Sequence, residues 1–270
     1  MNMGRPSTNK IDVLIPAVEK DLGTLPHVID AVRKQVRHRV GQIFIVAPRR
    51  RRILALCRRK RCKFVDENTV LPIQKRHIRY RSRKWERSGW LYQQLLKLNG
   101  DTLGTAPDFL VIDADTVLIR PHVFKQGNKT VFYCRNWSQP EYFRTYRRLM
   151  GRKATAPVSF VTHYMLFNKA KLRLLKRQIE ARHRTRWYTA ILRAMDKSKP
   201  FAFSEFETYG NFLYTQNPRG VLLKKALNKS LTTNIENLTR QKLKALARKY
   251  RSISFHKRRV YRRGTGAIKR

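Results

Sequence analysis

A chain of 270 residues that is 41% hydrophobic holds enough apolar material for one large domain or two small ones, which excludes a mostly disordered protein. Its 61 Lys and Arg against 17 Asp and Glu leave a net charge of +44, so its partners are anionic: nucleic acid, an anionic lipid surface or a phosphorylated substrate. Cys57, Cys62 and Cys134 lack zinc-site spacing and are expected as reduced thiols, and no run reaches the length of about eighteen apolar residues that a membrane span needs, so work at a membrane would be done from its surface.

Residues 1–10 form a polar N-terminal tail without an apolar signal core. Ile11-Asp-Val-Leu-Ile-Pro16 predicts a first strand, stopped by Pro16. Val28, Ile29, Val32 and Val36 then recur at helical spacing, and residues 42–48 read as a second buried strand, which makes a βαβ unit with a right-handed crossover and a parallel pair. Residues 49–61 set Ile53-Leu-Ala-Leu56 between two basic clusters, a short helix whose charged face is either solvated or turned to an anionic membrane. Nucleic acid suits that stretch less well, because no aromatic side chains stand between the charges to stack on bases. A third extended piece, residues 62–66, ends in Asp66, which either accepts backbone donors in a turn or faces a ligand cleft at the strand ends.

An Arg- and Trp-rich segment, residues 79–90, leads into an amphipathic helix. Ser88 is its expected cap, Trp90, Leu91, Leu95 and Leu98 its apolar face, Gln93, Gln94 and Lys97 its polar side, and Gly100 its stop. A helix start with Arg and Lys nearby is a fit place for a phosphate, so Gln93, Gln94, Lys97 and Asp66 are candidate cofactor-binding residues.

The centre of the chain is Asp108-Phe-Leu-Val-Ile-Asp-Ala-Asp-Thr-Val117. Its apolar run has no polar alternation and predicts a strand buried on both faces. Asp113 and Asp115 stand at its C-terminal end, where open α/β sheets bind ligands, and hard divalent cations such as Mn²⁺ or Mg²⁺ take oxygen ligands there. A bare Asp-x-Asp is more often a turn or cap, but a central strand before it and the extended residues 116–119 after it predict a strand-turn-strand corner that anchors a metal and a diphosphate.

Residues 157–167 are strand-like up to and beyond His163, which reads from the residues alone as a satisfied core histidine. Residues 169–192 predict one long basic helix over the sheet. Glu205 and Glu207 are framed by Phe201, Phe203, Phe206 and Tyr209, an apolar setting that raises a carboxylate toward base duty. Glu205 is the expected base, while Glu207 completes a capping box with Ser204. Beyond Pro218 the chain reads as Lys-rich and helical, followed by a strand ending in His256 and a basic tail over residues 259–270. No internal repeat and no Gly-rich dinucleotide fingerprint is present.

With Ile11-Asp-Val-Leu-Ile-Pro16, Gly89-Trp-Leu-Tyr-Gln-Gln-Leu-Leu-Lys-Leu98, Leu110-Val-Ile-Asp-Ala-Asp-Thr-Val117 and Ser204-Glu-Phe-Glu-Thr-Tyr-Gly210 in this order, the chain resembles a poorly characterised family of glycosyltransferase-like proteins from bacterial and viral polysaccharide contexts, similar to GT-A nucleotide-sugar transferases. The resemblance implies one GT-A-like (Rossmann-like) α/β domain over residues 11–258, with a mainly parallel central sheet flanked by helices. It further implies sugar transfer from a nucleotide-diphosphate sugar donor to a glycan or lipid-linked acceptor, assisted by Mn²⁺ or Mg²⁺ on Asp113 and Asp115, with His256 as a further metal ligand and with His163 on the acceptor side as a contact to a sugar hydroxyl or acceptor phosphate, the alternative to a core histidine. The expected place of work is the cytoplasm, at the membrane face. The alternative from another class is a nucleic-acid-binding protein or metal-dependent nuclease.

Overall fold

The computed structural model describes residues 10–255. His256, the basic C-terminal tail and nearly all of the polar N-terminal tail lie outside the described residues. In chain order the elements are β1 (Ile11–Pro16), α1 (Leu25–Gln35), β2 (Val40–Ala47), α2 (Arg51–Arg59), β3 (Lys63–Asp66), α3 (Glu67–Val70), α4 (Ser88–Leu98), β4 (Asp108–Ile112), β5 (Thr116–Leu118), β6 (Lys125–Gln126), β7 (Lys129–Cys134), α5 (Pro140–Met150), β8 (Tyr164–Asn168), α6 (Lys169–His183), α7 (Trp187–Ala194), α8 (Glu205–Gln216), β9 (Val221–Lys225), β10 (Asn228–Leu231), α9 (Arg240–Lys249) and β11 (Ser252–Phe255).

The apolar runs of β1 and β4 put them in the middle of a five-stranded sheet of order β3-β2-β1-β4-β8. Its β1/β2, β1/β4 and β2/β3 pairs are parallel, and only the β4/β8 pair is antiparallel. The pleat sends alternate side chains to two separate cores. Leu14, Phe109 and Val111 face one core with α4, α6, α7 and α8, whereas Val13, Ile15, Leu110 and Ile112 face the other with α1 and α2. Each fully buried aliphatic or phenyl side chain contributes about 1.5–3 kcal/mol, so a sheet covered on both faces is the main source of stability. The expected α/β architecture with a mainly parallel central sheet is the one observed.

Two small sheets complete the fold: β10-β11-β5 and β6-β7-β9. They correct the expectation of helix throughout the segment after Pro218, since residues there form β9, parallel to β7, and β10, parallel to β11, before α9 begins. Half-buried edge strands rich in Lys carry no clean apolar period, so their pairing comes from neighbours distant in sequence. The long helix expected over residues 169–192 is likewise two helices. Arg184 takes a left-handed conformation (φ 48°) after α6, and the chain turns before α7 starts at Trp187.

Buried polar side chains tie the loops to the sheet. Asp12 in β1 accepts from Gln42 N (2.9 Å) and Ala106 N (3.1 Å). Gly104, at φ +66°, passes so close to this carboxylate that any side chain there would strike Asp12 or Phe44. No helix among the described residues is long and apolar enough to cross a membrane.

Candidate active site

The strand-turn-strand corner forms as its sequence predicts. β4 ends at Ile112, Thr116 N donates to Asp113 O (3.1 Å) to close the turn, and β5 leaves in a new direction. Two neighbours hold the corner. Asp113 N donates to His163 O (2.9 Å) beside the antiparallel β4/β8 pair, and Phe255 N of β11 donates to Asp115 O (2.9 Å). Because the antiparallel register sets Ile112 opposite Tyr164, the next residue out on each strand is Asp113 or His163.

That register brings together a donor set of two carboxylates and an imidazole. Asp113, Asp115 and His163 each offer one ligand atom, all within 4.8 Å of one another, and all three residues are partly exposed. Hard oxygen donors with one borderline nitrogen suit Mn²⁺ or Mg²⁺. His163 Nδ1 lies 3.2 Å from Asp113 Oδ2. Burial lowers the His163 pKa against the opposing bond to Asp113, with the nearby Arg135 charge lowering it further, so the ring is held neutral and able to ligate.

Lys97 fixes the other oxygen of Asp113. Its Nζ donates to Asp113 Oδ1 (2.7 Å) and to Glu205 Oε1 (2.9 Å), with only 4% of the residue exposed. Burial opposes its charge, but the two carboxylates outweigh burial and hold the Lys97 pKa above its ordinary value. In turn, burial pushes Asp113 up while Lys97 and the His163 bond pull it further down, to a net value well below the usual carboxylate range. Glu205 ends above its ordinary value because burial exceeds the pull of Lys97. With its amide nitrogen toward Glu205, Gln94 donates to this carboxylate (2.8 Å to Oε1), and its oxygen accepts from Trp90 Nε1 (3.2 Å).

These contacts revise the expected polar face of α4. Gln94 and Lys97 are buried, and Gln93, half-buried, takes no part in the network. The helix is enclosed by α8 and the sheet, so its polar residues point to partners and not to solvent. Ser88 is also not the cap: Arg87 precedes the helix, and Ser88 Oγ accepts from Tyr80 N (3.1 Å).

Ser204 does cap α8, its Oγ accepting from Glu207 N (3.2 Å). The Glu207 carboxylate serves other donors: Ser159 Oγ (2.7 Å), Asn211 Nδ2 (2.8 Å), Ser138 Oγ (3.2 Å) and Phe160 N (3.5 Å). At 0% exposure this side chain is a structural hub. Glu205 is 1% exposed and joins the corner only through Lys97, so the open face expected of a base is not seen. Asp66 caps α3, its Oδ1 accepting from Asn68 N (3.0 Å). It closes the outer strand β3, three strand spacings or about 14 Å from β4, and is not brought to the corner.

Sequence pattern does not mark two further residues near the corner. Asp21, in the loop after β1, has its pKa raised by burial and by the charges of Asp115 and Asp113. Arg135, just past β7, lies close enough to His163 to shift it. Both arrive through the fold, with no local signal. Behind Asp115 runs a chain of hydrogen bonds, half-buried to buried: Thr116 Oγ1 to Asp115 Oδ1 (3.2 Å) and to Ser254 Oγ (2.8 Å), then Ser254 and Ser252 Oγ to Asn228 Oδ1 (3.1 and 2.7 Å).

A family model described as "Family of unknown function (DUF6492)" matches residues 9–261. No curated protein matches the chain in sequence. Solved structures similar to it include a galactosyltransferase, LgtC, in complex with donor and acceptor sugar analogs, at 12% identity over 91% of this chain and 87% of that one, TM-score 0.45. Mouse xyloside xylosyltransferase 1 in its apo form matches at 13% identity over 91% and 97%, TM-score 0.48. The bifunctional glycosyltransferase WbbM matches at 13% identity over 93% of this chain and 46% of its own, TM-score 0.49, so the chain spans less than half of that protein.

Proposed function

We propose that this chain, which belongs to the family of unknown function DUF6492, is a metal-dependent glycosyltransferase that moves a sugar from a nucleotide-diphosphate donor to a glycan or lipid-linked acceptor. The observation that carries the reading is the cluster of Asp113, Asp115 and His163 at the C-terminal end of the central strand, with Lys97 locked onto Asp113. These three side chains would hold Mn²⁺ or Mg²⁺, which when bound supplies positive charge to a diphosphate leaving group. His163 takes the place of third ligand within the described residues, and His256 remains a proposed addition from outside them.

In this reading Lys97 sets the orientation of Asp113, and Glu205 with Gln94 holds Lys97. Arg135 adds a cation on the His163 side, where donor phosphates would lie. Glu205 acts on transfer by positioning and not as an exposed base. The test is a thermal shift with UDP- or GDP-sugars and Mn²⁺: protection that EDTA abolishes, and that Asp113→Asn and Asp115→Asn both lose with their fold intact, supports the reading. Near-wild-type transfer by both variants under limiting metal overturns it.

The acceptor side includes a place to work. On α2, Ile53, Leu56 and Cys57 are buried, while Arg51, Arg52, Arg58 and Arg59 are exposed. We assign this face to an anionic membrane at the cytoplasmic side, where each basic residue near the surface adds about 1 kcal/mol, screened by salt. Liposome sedimentation checks it: binding should require anionic lipid and weaken when the four arginines become Gln. Equal binding to neutral vesicles would turn attention to nucleic acid.

A further inference from the structure

Arg87 carries a charge that the corner does not use. It immediately precedes α4 and is 8% exposed. Its Nε and Nη1 are cut off from solvent and have no hydrogen-bond partner. None of the ion pairs among the described residues includes it. The adjacent Glu86 turns to its own helix, Oε1 accepting from Ser88 N at 2.7 Å. Burying a guanidinium without an anion is unfavourable, and aromatic contacts offset only part of that cost.

The walls around Arg87 are aromatic. Its Cζ lies 4.0 Å from the ring centroid of Phe201 and 5.6 Å from that of Trp90. Trp90 meets Phe201 edge-on at 6.2 Å, and Trp85 meets Tyr80 edge-on at 4.9 Å. Trp85, Trp90 and Phe201 each keep part of their surface open. A tight turn, closed by Ser82 N donating to Trp85 O (2.8 Å), raises exposed Arg81, Arg83 and Lys84 beside them. From here Trp90 leads through Gln94, Glu205 and Lys97 to Asp113, and ten residue steps along α4 carry Lys97 about 15 Å from Arg87.

We propose that Arg87 and these rings form an acceptor subsite for an acidic sugar, one bearing a carboxylate or a phosphate; this rests on the transferase reading above. The guanidinium charge attracts the oxyanion, the half-open rings receive the apolar face of the sugar, and the basic turn concentrates anions at the entrance. A neutral sugar would leave the buried cation unpaired and is discriminated against for that reason.

The test uses the full chain without nucleotide or metal, and reads tryptophan fluorescence, since Trp85 and Trp90 line the subsite. Glucuronate, glucose 6-phosphate, glucose and inorganic phosphate are titrated at matched ionic strength. A saturable response to glucuronate or glucose 6-phosphate, absent with glucose, is expected, and which of the two responds names the anionic group. Arg87→Gln should weaken it about ten-fold or more, and Arg83→Gln should leave it in place. Equal binding by Arg87→Gln, no response to either acidic sugar, or the same response to inorganic phosphate alone overturns the proposal. Asp113→Asn separates the two readings: it should abolish metal-dependent donor binding and leave the acidic-sugar response unchanged.

Discussion

Lys97 and Glu205, 108 positions apart, meet at 2.9 Å where neither side chain is more than 5% exposed, and the same ammonium reaches Asp113. Removing one partner of a buried ion pair strands the others without compensation, at about 3–5 kcal/mol. Lys97→Met should therefore lower the unfolding free energy measured in urea by an amount in that range, and the midpoint with it. A midpoint within error of wild type would show that the two carboxylates reorganise freely.

The two glutamates of α8 should separate by readout. Glu205→Gln loosens Lys97, so it should weaken Mn²⁺ binding while the pH-rate profile keeps its shape, whereas loss of a general base would remove one limb of that profile. Glu207→Gln instead costs stability, about 1–3 kcal/mol, because an amide cannot accept from all four of the donors that surround it. A lost acidic limb in Glu205→Gln would restore Glu205 as the base.

Thr116 stands between Asp115 and Ser254, so Thr116→Val removes the hydroxyl that orients the carboxylate without changing its volume much. Outer-shell losses of this kind weaken metal binding about 10–100-fold. Free-Mn²⁺ titration followed by paramagnetic resonance should show this, with stability down by only about 1 kcal/mol. Unchanged affinity would remove Thr116 from any role at the corner.

His122, at 0% exposure, accepts or donates at 3.0 Å to Tyr164 Oη, and burial holds its pKa down to about 4. The unfolded chain binds this proton below about 6.5 and the folded chain only near 4, so His122 leaves stability intact above pH 6.5 and withdraws it as pH falls toward 4, by about 3 kcal/mol at most. His163, also lowered, acts in the same sense, while the raised Glu205 and Glu207 act in the opposite one. Comparing wild type with His122→Gln isolates the effect: between pH 7 and 4.5 the wild type should lose more stability. Parallel profiles would contradict the assignment.

What the sequence determined by itself is what local pattern encodes. The unbroken apolar run before Asp113 could only be satisfied by burial on both faces, so β4 and its acidic end were legible, as were β1, the βαβ unit and the Ser204 cap of α8. Tertiary structure decided which side chains met that acidic end. His163 arrives because an antiparallel partner strand sets it opposite Asp113, 50 positions away, and Lys97 because α4 is enclosed and must pair its polar residues inward. Nor could pattern place β9 and β10, whose pairing partners are β7 and β11 and whose own lysines suggest only a polar surface. The physical reason is one of range: burial period and capping act within a few residues, whereas the desolvation and ion pairing that tune Lys97, Asp113 and Glu205 exist only once distant segments have excluded water together.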